Sequence, residues 1–536
     1  MSMTDIRSSA GLRLLLGVVL CVLHTSATHA EATYERYLKN LPAVGQLRAS
    51  SNGAAVTWTR MLEGRRSLWI ADGVGLQPRV LLEYPDDDGL PLSSLTIAPD
   101  ARHVAYIRGG WPNRQGETNN PHDSADPQER VLWMMASDGG APMRIAGGPG
   151  AALHAPTFST DGRMLAYASG SEVWFAQVAN GSTSRAFTIR GRVGALAWSP
   201  DRRSLAFVSQ RDDHSFVAVF DLATRSIRYL APSIDRDANP VWSPDGRWLA
   251  FVRTREPVQM YRFSDRSSGI PWSILAADTA TWTVRTVWTA DPGVGSVFVE
   301  LEQDTASGMG PEDNFSSLLF TADDELIFPW ERSGSVQLYR VPVAGGKATA
   351  VSRGDGEVST AAVSANGKLL VYQQNGSSRE RFDIYRVDSQ RPARLIWEGA
   401  PPDAPTAPLA DGRVVFIGET SRTPRQVTLQ QDATAKAQAI DTIPEQFPTA
   451  AISEPEIVTL VAEDGFASRG LLFRPKQKRA VKRPALVWAH GGPRDITLPG
   501  VSKYDSRWIH SAVLAGYVVL ASNYRGSIGY GRDYRE

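Results

Sequence analysis

The sequence predicts an all-β propeller of seven or eight blades followed by the opening of a parallel α/β unit. Two observations carry this. Between about Leu47 and Leu429 one short pattern returns eight times, and from Pro484 to Gly531 it gives way to two apolar runs flanking a helix. Copies that follow one another at roughly 40 to 60 residues suit propeller blades. Two buried β-type runs around a helix imply parallel strands with their loops at the strand ends.

At the start of the chain, Arg7 and Arg13 precede an apolar run from Leu14 to Leu23, and Thr28-His29-Ala30 offers a small-residue cleavage site before Glu31. About ten apolar residues are too few to span a bilayer, which needs about 20, so residues 1–30 read as a secretory signal peptide cleaved after Ala30. The expectation is an exported protein, periplasmic or secreted. The single cysteine, Cys21, lies inside that segment. From residue 31 onward the chain therefore has no disulfide, thiolate metal site or cysteine nucleophile. With 57 basic and 57 acidic residues, no charge excess recruits nucleic acid or an anionic membrane. No later run is long and apolar enough for a membrane helix.

After a segment at 31–46, the repeat region is expected to fill 47–431. Each copy has an apolar or aromatic residue, Ser or Thr, a turn on Asp-Gly or Asn-Gly, and then an alternating strand. It is seen as SSNGAAVTWTR at Ser50, IAPDARHVAYIRG at Ile97, FSTDGRMLAYASG at Phe158 and WSPDRRSLAFVSQ at Trp198. It recurs as WSPDGRWLAFVRT at Trp242, FTADDELIFPWER at Phe320, VSANGKLLVYQQN at Val363 and LADGRVVFIGE at Leu409. Each copy reads as a hairpin whose strand alternates because one face packs on the next blade. Trp58, Phe158, Trp198, Trp242 and Phe320 are then core residues between blades, and the corner aspartates are turn residues rather than calcium ligands. The long gap between Trp242 and Phe320 reads as one enlarged blade with PWSILAADTATWTVRTVW, from Pro271, as its strands. The charged stretch from Gly116 to Arg130 reads as a solvated insertion between blade strands.

Residues 432–453 are polar and strand-poor, a linker. Residues 454–536 open with a hairpin, Ile457 to Ala462 and Gly470 to Phe473 around Asp464-Gly465. The run Ala485 to Ala489 ends at His490-Gly491-Gly492-Pro493. Trp508 to Ala515 reads as a helix capped by Gly516. The run Tyr517 to Ala521 leads into Asn523-Tyr524-Arg525-Gly526-Ser527-Ile528-Gly529-Tyr530-Gly531. In parallel sheets, chemistry sits at the carboxyl ends of the strands, where both glycine-bearing loops lie.

The pair HGGP and NYRGSIGYG closely resembles the start of the catalytic domain in the prolyl oligopeptidase family of serine peptidases, particularly its acylaminoacyl-peptidase and dipeptidyl-peptidase-like members. The repeats are similar to the TolB and prolyl-oligopeptidase type of propeller. The resemblance implies that the C-terminal unit is the first half of an α/β-hydrolase domain, without metal or cofactor. It also implies that Gly492 donates its N–H to the substrate oxyanion, with His490, Gly491 and Pro493 shaping the loop. The chain has no clear copy of the paired glutamates by which dipeptidyl-peptidase-type propellers hold a substrate amino terminus; Glu300-Leu301-Glu302 comes nearest.

No G-x-S-x-G nucleophile elbow occurs in the 536 residues. Ser527 has Arg525 where the elbow's first glycine should be. An α/β-hydrolase triad runs Ser, Asp, His after the fifth strand, so these three would lie beyond Glu536. The expectation is thus a fragment, inactive by itself, of a peptidase that hydrolyses short peptides admitted by its propeller. The alternatives are a propeller-based periplasmic peptide-binding or scaffold protein, and an esterase on the same scaffold.

Overall fold

The computed structural model describes residues 28–536 except 114, 119, 121, 122, 124, 256–268, 270, 271, 303–313, 377, 389, 390, 477–481 and 493. The expected signal peptide lies outside the described residues, apart from its last three positions. These begin the helix Thr28–Lys39.

Among the described residues, eight blades of four antiparallel strands follow in chain order: Ala43–Tyr84, Leu92–Pro149, Leu153–Thr188, Arg192–Tyr229, Arg236–Thr289, Leu319–Ala350, Val358–Ala400 and Thr406–Ala439; the fourth and fifth are joined into one sheet by a single parallel pair, Ser215 with Arg236. One blade corresponds to each sequence copy, which resolves the expected seven or eight to eight. The corner joins the first and second strands of a blade, and its chemistry is local. Ser243 Oγ donates to Asp245 Oδ1 at 2.6 Å and accepts from the Trp248 N–H at 2.9 Å, while the Arg247 N–H donates to the same Asp245 oxygen. Ser159-Asp161, Ser199-Asp201 and Ser364-Asn366 repeat the arrangement. A short polar side chain thus satisfies backbone groups that a tight turn leaves over.

The apolar residue before each corner packs between adjacent blades. Phe158 joins blades two and three, Trp198 joins three and four, and Phe320 joins five and six; Trp242 lies partly buried between four and five. Trp58 is fully buried where blade one meets blade eight, in a cluster with Val415 and Ile417. No strand is shared across that seam among the described residues, so side chains close the ring: apolar packing, and the Arg413 guanidinium of blade eight, which donates to the Gly53 and Val74 carbonyls of blade one. The helix Thr28–Lys39, ahead of blade one, docks on residues that follow blade eight: Tyr37 and Leu41 pack on Phe447, Ile452 and Val501, and the Tyr37 hydroxyl donates to the Val501 carbonyl at 2.7 Å.

Three expectations need correction. The array runs from Ala43 to Ala439, because the segment before Leu47 starts the first inner strand and the stretch expected as a linker supplies the outer strand Gln438–Ala439. The fifth blade, Arg236–Thr289, has its outer strands Trp272–Asp278 and Val284–Thr289 where expected and is longer than blade four, but it does not fill the gap, the rest of which connects blade five to blade six. Described parts of that connection cross the central channel. The Glu302 N–H donates to Ser359 O in blade seven, Ser317 N–H to Asn239 Oδ1 in blade five, and Leu196 N–H of blade four to Asn314 Oδ1. The charged stretch from 116 to 130 lies between the second and third strands of blade two, and 119, 121, 122 and 124 fall outside the described residues.

Asp441, just past the last blade, is buried and accepts the Val427 N–H. Burial pushes its carboxyl from an ordinary 3.8 up to about 7, against the pull of the Arg60 guanidinium. A raised carboxyl pKa in the native state means that ionisation opposes folding, so this group costs stability as pH rises from about 4 through 7. Asp441→Asn is expected to flatten the pH dependence of the urea midpoint in that window. An unchanged slope would refute the assignment.

Candidate functional site

The C-terminal unit is a four-stranded sheet. Glu456–Val461 pairs with Ala467–Phe473, which pairs antiparallel with Val518–Asn523, which in turn pairs parallel with Ala485–Ala489. In chain order the strands lie first, second, fourth, third. The crossover helix is Tyr504–Leu514, one turn longer at its start than the apolar period indicates. Its end is a Schellman motif: Gly516, at φ +100°, donates to Val513 O, and Tyr517 donates to Ala512 O. Ala485–Ala489 pairs on one side only among the described residues, leaving Leu486 44% and Val487 76% exposed.

The loops that end the two parallel strands are locked together. His490 is buried, and its Nε2 lies 2.9 Å from Ser527 Oγ. Its ring stacks on Tyr524 with centroids 4.5 Å apart, and the Tyr524 hydroxyl donates to the His490 carbonyl. A Ser–His contact invites a catalytic reading, but three observations oppose it. Ser527 is wholly buried, its Oγ also bonds the Tyr524 carbonyl at 2.7 Å, and His490 Nδ1 faces the Gly491 carbonyl rather than a carboxylate. A nucleophile needs an open face and an oriented base, and neither is present. The pair is a structural pin.

Gly492 lies beyond that pin at φ +126°, and a Cβ there would meet Arg494 N at 2.9 Å, so only glycine fits. Among the described residues no acceptor takes its N–H. It opens on a cavity of about 420 Å³ between sheet and propeller, walled by Glu300, Glu302, Glu357, Asp495 and Arg535. Leu301 is buried in the core of blades six and seven, and the flanking glutamates line the cavity on either side of it. Asp495 is paired with Lys503 at 2.6 Å. Gly491 is exposed with open space around it. Pro493 lies outside the described residues. No cluster of three metal-ligating side chains occurs among the described residues.

Other residues of the loops reveal their roles only in three dimensions. Asn523 is fully buried and holds Thr497 on both sides, accepting its N–H at 2.8 Å and donating to its carbonyl at 3.0 Å. Arg535 enters blade six, with Nη1 2.5 Å from a Glu331 carboxylate that is wholly buried. The carboxyls of Glu357 and Glu419 are both pushed up by burial, the nearby Arg535 and Arg425 respectively opposing the shift. Asn523 stood within the motif quoted from sequence; nothing in the local pattern marks the three glutamates.

Among protein families, a TolB beta propeller domain model matches residues 119–306. A comparison with curated proteins finds no match by sequence. Among solved structures the chain is similar to a dipeptidyl peptidase 4 of Porphyromonas gingivalis, at 15% identity and a TM-score of 0.62, covering 97% of this chain and 75% of that one. It is also similar to a puromycin-hydrolyzing peptidase of Mycobacterium tuberculosis, at 16% identity and a TM-score of 0.57, covering 94% and 69%. A structure from a study of two prolyl endopeptidases matches at 14% identity and a TM-score of 0.56, covering 99% and 69%. At these identities the likeness is one of fold. The resemblance to the prolyl oligopeptidase family is borne out at that level, propeller included.

Proposed function

We propose that residues 454–536 are the first half of an α/β-hydrolase domain, and that the whole chain carries the propeller and the oxyanion side of a serine-type peptidase site. The observation that carries the reading is Gly492: a glycine-only position whose N–H has no acceptor among the described residues, at the carboxyl end of a parallel strand, facing a cavity roofed by the propeller. Such an N–H stabilises the charge that develops on a carbonyl oxygen under attack. The strand order is the one with which α/β-hydrolases begin. The nucleophile, acid and base have no counterpart among residues 1–536, where G-x-S-x-G is absent.

The substrates would be short peptides, because a cavity of about 420 Å³ beneath a propeller excludes folded chains. Glu300 and Glu302 line it with carboxyl groups able to accept hydrogen bonds from a free amino terminus, burial pushing the Glu300 carboxyl up. An esterase would use the same donor with a different leaving group. The binding-protein reading is weakened by the open parallel edge at Leu486 and Val487, an apolar template that natural sheets cover. We further propose that the protein is exported, on the strength of the apolar run from Leu14 to Leu23.

A serine-directed fluorophosphonate tests the reading. Purified residues 1–536 are expected to remain unlabelled, and the natural gene product to be labelled at a serine outside them. Labelling within 1–536, at Ser527 for instance, overturns the assignment of the pin. A natural product that neither labels nor cleaves peptides overturns the peptidase.

A further inference from the structure

The described residues between Gly491 and Lys503 form no helix or strand, and their own sheet holds them chiefly through Asn523 and Thr497. An irregular segment of this length needs further contacts to offset the entropy of fixing it. Propeller glutamates supply them at both ends. Glu419 of blade eight, 6% exposed, accepts the Val501 and Ser502 N–H groups on one oxygen, at 2.8 and 2.6 Å, just before the helix Tyr504–Leu514 begins. One carboxyl oxygen thereby satisfies two successive backbone donors ahead of the helix N-cap, Lys503. Gly500 makes room for it, since a Cβ at 500 would lie 2.8 Å from Glu419 Cδ.

Glu357 of blade seven acts at the other end, through one intermediate. Its Oε2 accepts the Gly529 N–H at 2.7 Å, and Asn375 of the same blade donates to the Gly529 carbonyl at 2.6 Å. The neighbouring Ile528 N–H donates to the Asp495 carbonyl at 3.1 Å, three residues from Gly492. Gly529 is at φ +89°, and a Cβ would meet Ile496 and Asn375, so the glycine lets the propeller grip both faces of that peptide.

We propose that Glu357 and Glu419 are positioning residues for the oxyanion loop, so that the direction of the Gly492 N–H is set by the docked propeller rather than by the strand that precedes it. This rests on the reading of Gly492 as the oxyanion donor. A propeller that lifted away would take both clamps with it, and the donor would lose its aim.

Amide hydrogen exchange on purified residues 1–536 tests this without activity. The reporter is Thr497, whose N–H is bonded to Asn523 and to neither glutamate. Glu419→Ala is expected to speed exchange at Val501 and Ser502, and also at Thr497, by about tenfold or more. Glu357→Ala should do the same at Gly529, Ile528 and Thr497. Glu419→Gln keeps the single accepting oxygen and should restore protection. Should Glu419→Ala fail to fold, Gly500→Ala displaces the carboxylate while leaving it in the chain, and the same amides are read. Acceleration confined to Val501 and Ser502, with Thr497 unchanged, overturns the clamp. So does acceleration that Leu205 of blade four shares equally, which is global opening. None of these amides reacts with a fluorophosphonate, so the clamp and the peptidase reading fail separately.

Discussion

Arg535→Ala is expected to lower the stability of the chain by about 3–5 kcal/mol, the usual cost of stranding a buried charge. Arg535 and Glu331 are 5% and 0% exposed as side chains, with Nη1 2.5 Å from the carboxylate. No directed hydrogen bond reaches either Glu331 oxygen among the described residues, so the ion contact is what compensates it. Glu357, at 4.0 Å from the same guanidinium, loses its counter-charge too. Removing both members of the main pair should cost less than removing one. Arg535→Met with Glu331→Gln is thus expected to recover much of the loss. The check is the urea midpoint of the single and double variants. A single variant within about 1 kcal/mol of the parent would mean that water or rearrangement solvates Glu331.

Trp58→Ala is expected to cost a similar 3–5 kcal/mol, by cavity formation at the ring seam. The indole is fully buried, stacks on Trp69 with centroids 6.0 Å apart, and packs on blade eight through Val415 and Ile417. The seam has no shared strand, so the gap cannot be bridged by backbone pairing. Trp58→Phe should lose far less, since the indole N–H has no acceptor and its loss strands no partner. Thermal unfolding followed by circular dichroism decides it. Equal losses for Ala and Phe would point to an unseen hydrogen bond instead of packing.

Much of the fold was legible because the corners are local. A Ser, an Asp two positions on and an N–H five positions on are satisfied within one turn, so each copy announces itself wherever it falls. The apolar residue ahead of each corner then marks an inter-blade core. The helix start was misjudged for a related reason. Its first turn buries Asp505 and Ser506 instead of apolar residues, and the hydrophobic period begins only at Trp508. At the site, the glycine at 492 was readable as a residue type that a special backbone conformation demands. Glu357 and Glu419 were not readable. Their partners lie 172 residues away at Gly529 and 82 away at Val501, and no short-range pattern encodes such pairings. Asn314, which reaches blades three and four from the connection after blade five, is the same kind of residue.

The helix Thr28–Lys39 and its Tyr37 bond to Val501 span 464 positions of sequence. The ring itself can condense blade by blade as each hairpin leaves the ribosome, because neighbours in sequence are neighbours in space. The docking of the helix ahead of it cannot. Tyr37, among the first described residues to be synthesised, must wait exposed until Val501 has been made, which at about 5–20 residues per second is roughly half a minute to a minute and a half.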